Sequence, residues 1–110
     1  MTDATLFKKL TDLFRPYEKD MQIKTDTDDK YYIEEALSSD KLQMFASVQI
    51  KKNYISVYLM PVYCQPELLE GISDDLKKRM QGKSCFNFTQ DEQVPWAEFK
   101  ALIKQSRKAL

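Results

Sequence analysis

The sequence predicts an α+β fold: an antiparallel β-sheet with N- and C-terminal helices packed on one face and short helices before the last strand. Three observations carry that prediction. Residues 42–60 alternate apolar and polar positions on both sides of Lys51-Lys52-Asn53, the pattern of a hairpin with one buried face. Both ends of the chain carry apolar stripes at helical spacing. The element order, helix, strands, short helices, strand, helix, lacks the regular βαβ alternation of a parallel sheet.

Each element has its own reason. Leu6, Leu10, Leu13 and Tyr17 share one helical stripe with Phe7 and Phe14 beside it, and Thr2 or Asp3 supplies the cap. Pro16 disfavours helical geometry at Arg15, so this helix is expected to end near there. The segment Lys24-Thr25-Asp26-Thr27-Asp28-Asp29-Lys30 is polar and aperiodic and reads as a loop, followed by a short strand around Tyr31-Tyr32-Ile33.

For the hairpin, a turn at Lys52 and Asn53 makes Ile50 face Ile55, Val48 face Val57 and Ala46 face Leu59, an aliphatic side. Gln49 then faces Ser56, Ser47 faces Tyr58 and Phe45 faces Met60 on the other side, and a one-residue slip would scramble both sets. Pro61 ends the strand, and Pro66 opens a short helix carrying Leu68 and Leu69. Ser73 caps a second helix over residues 73–81, where Leu76 and Met80 lie one turn apart. Lys77, Lys78 and Arg79 sit toward its C-terminal end, which favours cations, and Gly82 stops it. Residues 84–88 set Phe86 and Phe88 against Cys85 and Asn87, a strand. Pro95 opens a last helix with Trp96, Phe99, Leu102 and Ile103 on one stripe.

Composition bounds the rest. At 110 residues with 43% hydrophobic and 31% charged side chains, the chain is expected to form a single domain over 1–110 with one core. Seventeen basic residues balance seventeen acidic ones, so no long-range field favours nucleic acid or an anionic membrane. There is no signal-type apolar segment and no stretch approaching a transmembrane span, and the expectation is a cytoplasmic protein. Its two cysteines, Cys64 and Cys85, are then expected as thiols.

The chemistry on offer is sparse. The sequence has no histidine, which removes the usual general base and the commonest metal ligand, so a non-enzymatic role is expected. Gly82-Lys83-Ser84 imitates the end of a phosphate loop, but Lys77 stands where the first glycine belongs, and a helix stop with an exposed lysine accounts for it. Asp26, Asp28 and Asp29, with Glu34 and Glu35 nearby, offer oxygen ligands to a hard cation, or simply a solvated loop. Ser47, Gln49, Ser56, Tyr54 and Tyr58 mix hydrogen-bonding groups and rings as small-ligand sites do, or form an ordinary wet face. Lys83, Cys85 and Asn87 adjoin that face, where a nearby cation would favour the Cys85 thiolate; the plainer reading is an inert thiol.

Phe45-Ala46-Ser47-Val48, the hairpin from Asn53 through Tyr63, and above all Leu76-Lys77-Lys78-Arg79-Met80-Gln81-Gly82-Lys83-Ser84-Cys85-Phe86-Asn87-Phe88 resemble the YdhG-like family, a bacterial domain-of-unknown-function family. The resemblance covers residues 42–104. It implies a compact α+β sandwich, and some relatives are described as frataxin-like iron chaperones that feed iron–sulfur cluster assembly. By that resemblance iron is the candidate cofactor, and iron–sulfur assembly proteins are the candidate partners. Frataxin-type binding uses an acidic first helix and adjoining strand, whereas the first helix here mixes Asp3 and Asp12 with Lys8, Lys9 and Arg15. Two functional expectations result: an accessory protein that holds iron through Asp26, Asp28, Asp29, Glu34 and Glu35, or a small-molecule or protein-partner binding module that uses the polar aromatic sheet face.

Overall fold

In the computed structural model, which describes residues 4–36, 42–82 and 84–108, the apolar stripe of the N-terminal segment forms α1 (Ala4–Asp12) and buries Leu6, Phe7 and Leu10. A turn and a 3-10 helix at Arg15–Asp20 follow, with Pro16 in the first turn, where its missing N–H has no helical partner to lose. The Thr2 or Asp3 cap lies outside the described residues.

Five strands follow as an antiparallel meander in the order β1 (Gln22–Asp26), β2 (Lys30–Ala36), β3 (Leu42–Ile50), β4 (Ile55–Leu59) and β5 (Cys85–Phe88). The hairpin register is the one the alternation predicts, with Ile50, Val48 and Ala46 opposite Ile55, Val57 and Leu59, and Gln49 and Ser47 opposite Ser56 and Tyr58. Tyr31 and Ile33 extend the apolar face onto β2 through Val48 and Ala46, and Phe86 and Phe88 extend it onto β5 through Val57 and Ile55. All these side chains except half-buried Ile50 are fully buried.

Both terminal helices pack on this face. Phe14, just beyond α1, meets Phe45 edge-on at 6.3 Å and Tyr31 at 6.5 Å. From α4 (Trp96–Lys108), Phe99 meets Phe86 at 5.2 Å and Phe88 at 5.6 Å, both edge-on. Lys9 pairs with Asp91, which also accepts from the Trp96 indole at 3.1 Å, tying α1 to the segment that leads into α4.

Four expectations are corrected. The polar segment 24–30 is not all loop: Lys24, Thr25 and Asp26 belong to β1, whose backbone pairs with β2. An edge strand whose side chains mostly face solvent needs no apolar alternation, so the pattern gave no sign of it. Phe45 does not sit on the polar side. The β2–β3 register jumps from Ile33↔Ala46 to Glu34↔Met44, and this bulge turns Phe45 into the core, where it is fully buried. Met60 does not pair with Phe45, because Met60 begins α2 (Met60–Cys64), with Pro61 in its first turn. The helix capped by Ser73 is only α3 (Asp74–Lys77); beyond it Met80 forms a bridge with Phe86 and lines the outer edge of β5. The cap itself is as expected, Leu76 N–H donating to Ser73 Oγ at 3.2 Å. The Ser73 hydroxyl and N–H in turn each donate at 2.6 Å to the Glu98 carboxylate of α4.

Candidate functional site

The face of the sheet turned away from the helices is built from two cross-strand rows. Thr25, Tyr32, Ser47, Tyr58 and Cys85 are successive ladder partners across all five strands, and Lys30, Gln49, Ser56 and Asn87 form the next row. Directly opposed residues share a face and approach to about 5 Å at Cβ, so the alternation of each strand assembles one surface from residues scattered through the sequence.

Within it the polar groups satisfy one another. Lys51 Nζ donates to Gln49 Oε1 at 2.9 Å, and Gln49 Nε2 donates to Ser47 Oγ at 3.0 Å. On the other side, the Ser56 hydroxyl and the Cys85 thiol both donate to Asn87 Oδ1, at 2.8 and 3.3 Å. Ser47 and Ser56 are 0% and 1% exposed. They lie on the predicted face but beneath their larger neighbours, so the accessible part of the face is formed by Tyr32, Gln49, Lys51, Tyr54, Tyr58, Cys85 and Asn87. Lys83 lies outside the described residues.

Burial raises the Cys85 thiol above its ordinary range, against smaller opposing effects of the Ser56 and Tyr58 hydroxyls and of Lys51. The Tyr58 phenol is raised as well, first by burial and then by the neighbouring Cys85. A protonated thiol hydrogen-bonded to an amide oxygen is a poor nucleophile, and no base adjoins it among the contacts described. The arrangement is suited to hydrogen bonding and to contact with rings rather than to bond making.

The carboxylates expected to hold a hard cation are dispersed. Asp26 is gripped by the Arg15 guanidinium, Nη1 to Oδ2 at 2.8 Å and Nη2 to Oδ1 at 3.2 Å, which holds its carboxyl below the usual range. The same guanidinium bonds Glu18 at 2.8 Å and lies 4.7 Å from the centroid of the buried Tyr31 ring, whose hydroxyl donates to Glu18 at 2.6 Å. Arg15 therefore pins the β1–β2 hairpin to the N-terminal helical segment. Asp28 and Asp29 stand exposed on the hairpin turn, where Asp29 accepts from Thr27 Oγ1 at 2.9 Å. Glu34 pairs with Gln22 at the opposite end of the β1–β2 ladder from Asp26. Glu35 is turned to the core face, 6% exposed, with its carboxyl raised by burial despite the influence of Arg107. Among the described residues no three Cys, Asp or Glu side chains gather as a metal-binding group.

Two features had no legible sequence signal. Lys24 and Lys30 hold their ammonium groups 5.2 and 5.8 Å from the centre of the Tyr32 ring; Lys24 is the inserted residue of a bulge between Ile23↔Ile33 and Thr25↔Tyr32, which the polar run 24–30 does not announce. A cleft of about 530 Å³ opens between α2, the 3-10 helix Pro66–Leu69 and the turn at Gly82, lined by Val62, Tyr63, Pro66, Leu69 and Met80. Its walls come from three separate segments that local patterning does not bring together. No helix among the described residues is long and apolar enough to cross a membrane. No family model, curated protein or solved structure matches the chain.

Proposed function

We propose that this protein is a non-enzymatic binding module of YdhG-like character whose polar sheet face receives a small ligand. One observation carries the reading: Gln49, Tyr58, Cys85 and Asn87, from three adjacent strands, form a single half-buried layer on the side of the sheet opposite the helices. The layer combines orienting hydrogen-bond groups with aromatic surface, the mixture that small-ligand sites use, and its rigid sheet support keeps the ordering cost of binding low. The raised Cys85 thiol and the absence of histidine from the sequence favour binding over catalysis.

A ligand-observed NMR screen against the full chain tests this, followed by Tyr58→Ala on any hit. Loss of binding in the variant is the expected result, and unchanged binding excludes the face. Iron delivery to a cluster-assembly partner has the family resemblance and the exposed pair Asp28 and Asp29 as its support, while Asp26 and Glu35 are committed to Arg15 and to the core. Anaerobic calorimetry with ferrous iron separates the two. Binding heat abolished by Asp28→Asn with Asp29→Asn would establish the iron reading, and no heat at millimolar protein would remove it.

A further inference from the structure

We propose that a cleft beside the outer edge of β5 is a second binding site, which takes a small zwitterion: a free α-amino acid with an aliphatic side chain. It lies apart from the sheet face proposed above, and neither reading depends on the other. The cleft has a volume of about 290 Å³, near the lower end for small-ligand sites. Asp75, Lys78 and Arg79 line it from α3 and the residues just after it, and Glu92 and Gln93 line it from the 3-10 helix Asp91–Gln93. Helical hydrogen bonding continues to Arg79, whose N–H donates to Leu76 O at 3.0 Å, so Lys78 and Arg79 stand one turn from Asp75 on the same face.

Two acids and two bases thus share one cleft. Among the described residues none of these four side chains makes an ion pair, with one another or with any other group. Exposed neighbours gain little by closing on each other, because the side-chain entropy lost offsets the attraction. A simple anion or cation would meet a like charge in this cleft along with an opposite one. A zwitterion brings a counter-charge for each sign. Two of the groups that would receive its carboxylate are held in advance. The Arg79 carbonyl accepts from Asn87 N–H at 2.7 Å, which fixes this half-buried residue against β5, and a guanidinium can meet a carboxylate with two parallel bonds. Gln93 Oε1 accepts from the Thr89 N–H and hydroxyl at 2.8 and 3.1 Å. A backbone N–H requires the amide oxygen there, so the Nε2 group is the part of Gln93 left to donate to a ligand. Val94, a core residue 4% exposed, and Pro95 complete the lining with apolar surface suited to an aliphatic side chain.

Amide-detected NMR titration of the full chain with L-valine, N-acetylvaline and valinamide tests the assignment, since the last two each carry only one of valine's charges. Valine is expected to give saturable shifts at Arg79, Gln93 and Val94, with each analogue binding about fivefold more weakly. Arg79→Gln is expected to weaken valine about fivefold, and Glu92→Gln to weaken valine and valinamide while sparing N-acetylvaline. Both variants should keep the melting temperature of the parent, because neither side chain holds an ion pair among the described residues. No saturable shift with valine, or equal valine affinity in Arg79→Gln, would overturn the site. Either analogue binding as tightly as valine would overturn the zwitterion assignment. Valine shifting Gln49 and Tyr58 in place of the cleft residues would overturn this second site while supporting the sheet-face reading.

Discussion

Truncating Phe99 to alanine is the most direct challenge to the layer arrangement on which the sheet face depends. Phe99 is fully buried, and its ring meets Phe86 and Phe88 edge-on at 5.2 and 5.6 Å, so one side chain holds α4 onto two positions of β5. Core Phe→Ala changes cost about 3–5 kcal/mol. Two edge-on contacts, each contributing about 0.5–1.5 kcal/mol beyond area burial, place this site in the upper half of that range. A loss of about 4 kcal/mol is a large share of the roughly 5–15 kcal/mol that stabilises a domain of this size. At about 4 °C per kcal/mol, the midpoint falls about 15 °C. Phe99→Leu retains most of the volume and should lose only about 1.5 kcal/mol. Urea unfolding monitored by circular dichroism measures both, and a double-mutant cycle with Phe86→Leu isolates the ring contact. A loss below about 1.5 kcal/mol for the alanine variant, or no coupling to Phe86, would mean that α4 does not pack where the core requires it.

Three further outcomes follow from the charged and thiol groups. Arg15 lowers the Asp26 carboxyl, so this pair's contribution is fully present above the unfolded carboxyl value of about 3.9 and is lost as pH falls through the lower folded value. Arg15→Met should therefore flatten the acid limb of a stability-versus-pH curve by no more than about 1 kcal/mol, because the pair is exposed; an unchanged limb refutes the linkage. Glu35 has the opposite sign: burial raises its folded value, so stability falls as pH rises from the unfolded value of about 4.3 through the folded one. Glu35→Gln should stabilise the protein at pH 7 and lose that advantage at lower pH, and a destabilised variant at neutral pH would show that the ionised carboxylate is needed. Of the two free thiols, Cys64 is exposed and Cys85 is half-buried with its thiol raised. Iodoacetamide followed by mass mapping should modify Cys64 first at pH 7, and faster labelling of Cys85 would revive a reactive role for it.

Much of the fold was legible because its signals are local. The hairpin register followed from the period-2 alternation of Val48, Val57, Ser47 and Tyr58, since a slip would have turned every apolar side chain outward. The terminal helices followed from their stripes, and the Ser73 cap from one hydroxyl at the start of a helical turn. The same alternation identified most of the candidate face. It could not tell that Ser47 and Ser56 would be covered, because exposure of a small residue depends on the size and lean of neighbours on adjacent strands.

What the sequence determined by itself is the pairing at the centre of the sheet and the side of it that meets the helices, because a β-strand forces neighbouring residues onto opposite faces wherever the chain leads. What only the tertiary structure decided lies at bulges, edges and charged contacts. The bulge at Phe45 turned a ring from the polar side into the core, and pairing with β2 made a strand of a segment with no apolar rhythm. Arg15, eleven positions from Asp26 in sequence, removed one expected metal ligand, while the β1 bulge carried Lys24 to Tyr32. Each of these depends on which segments become neighbours, and the free energy of those contacts is set by the assembled chain rather than by any local run of residues.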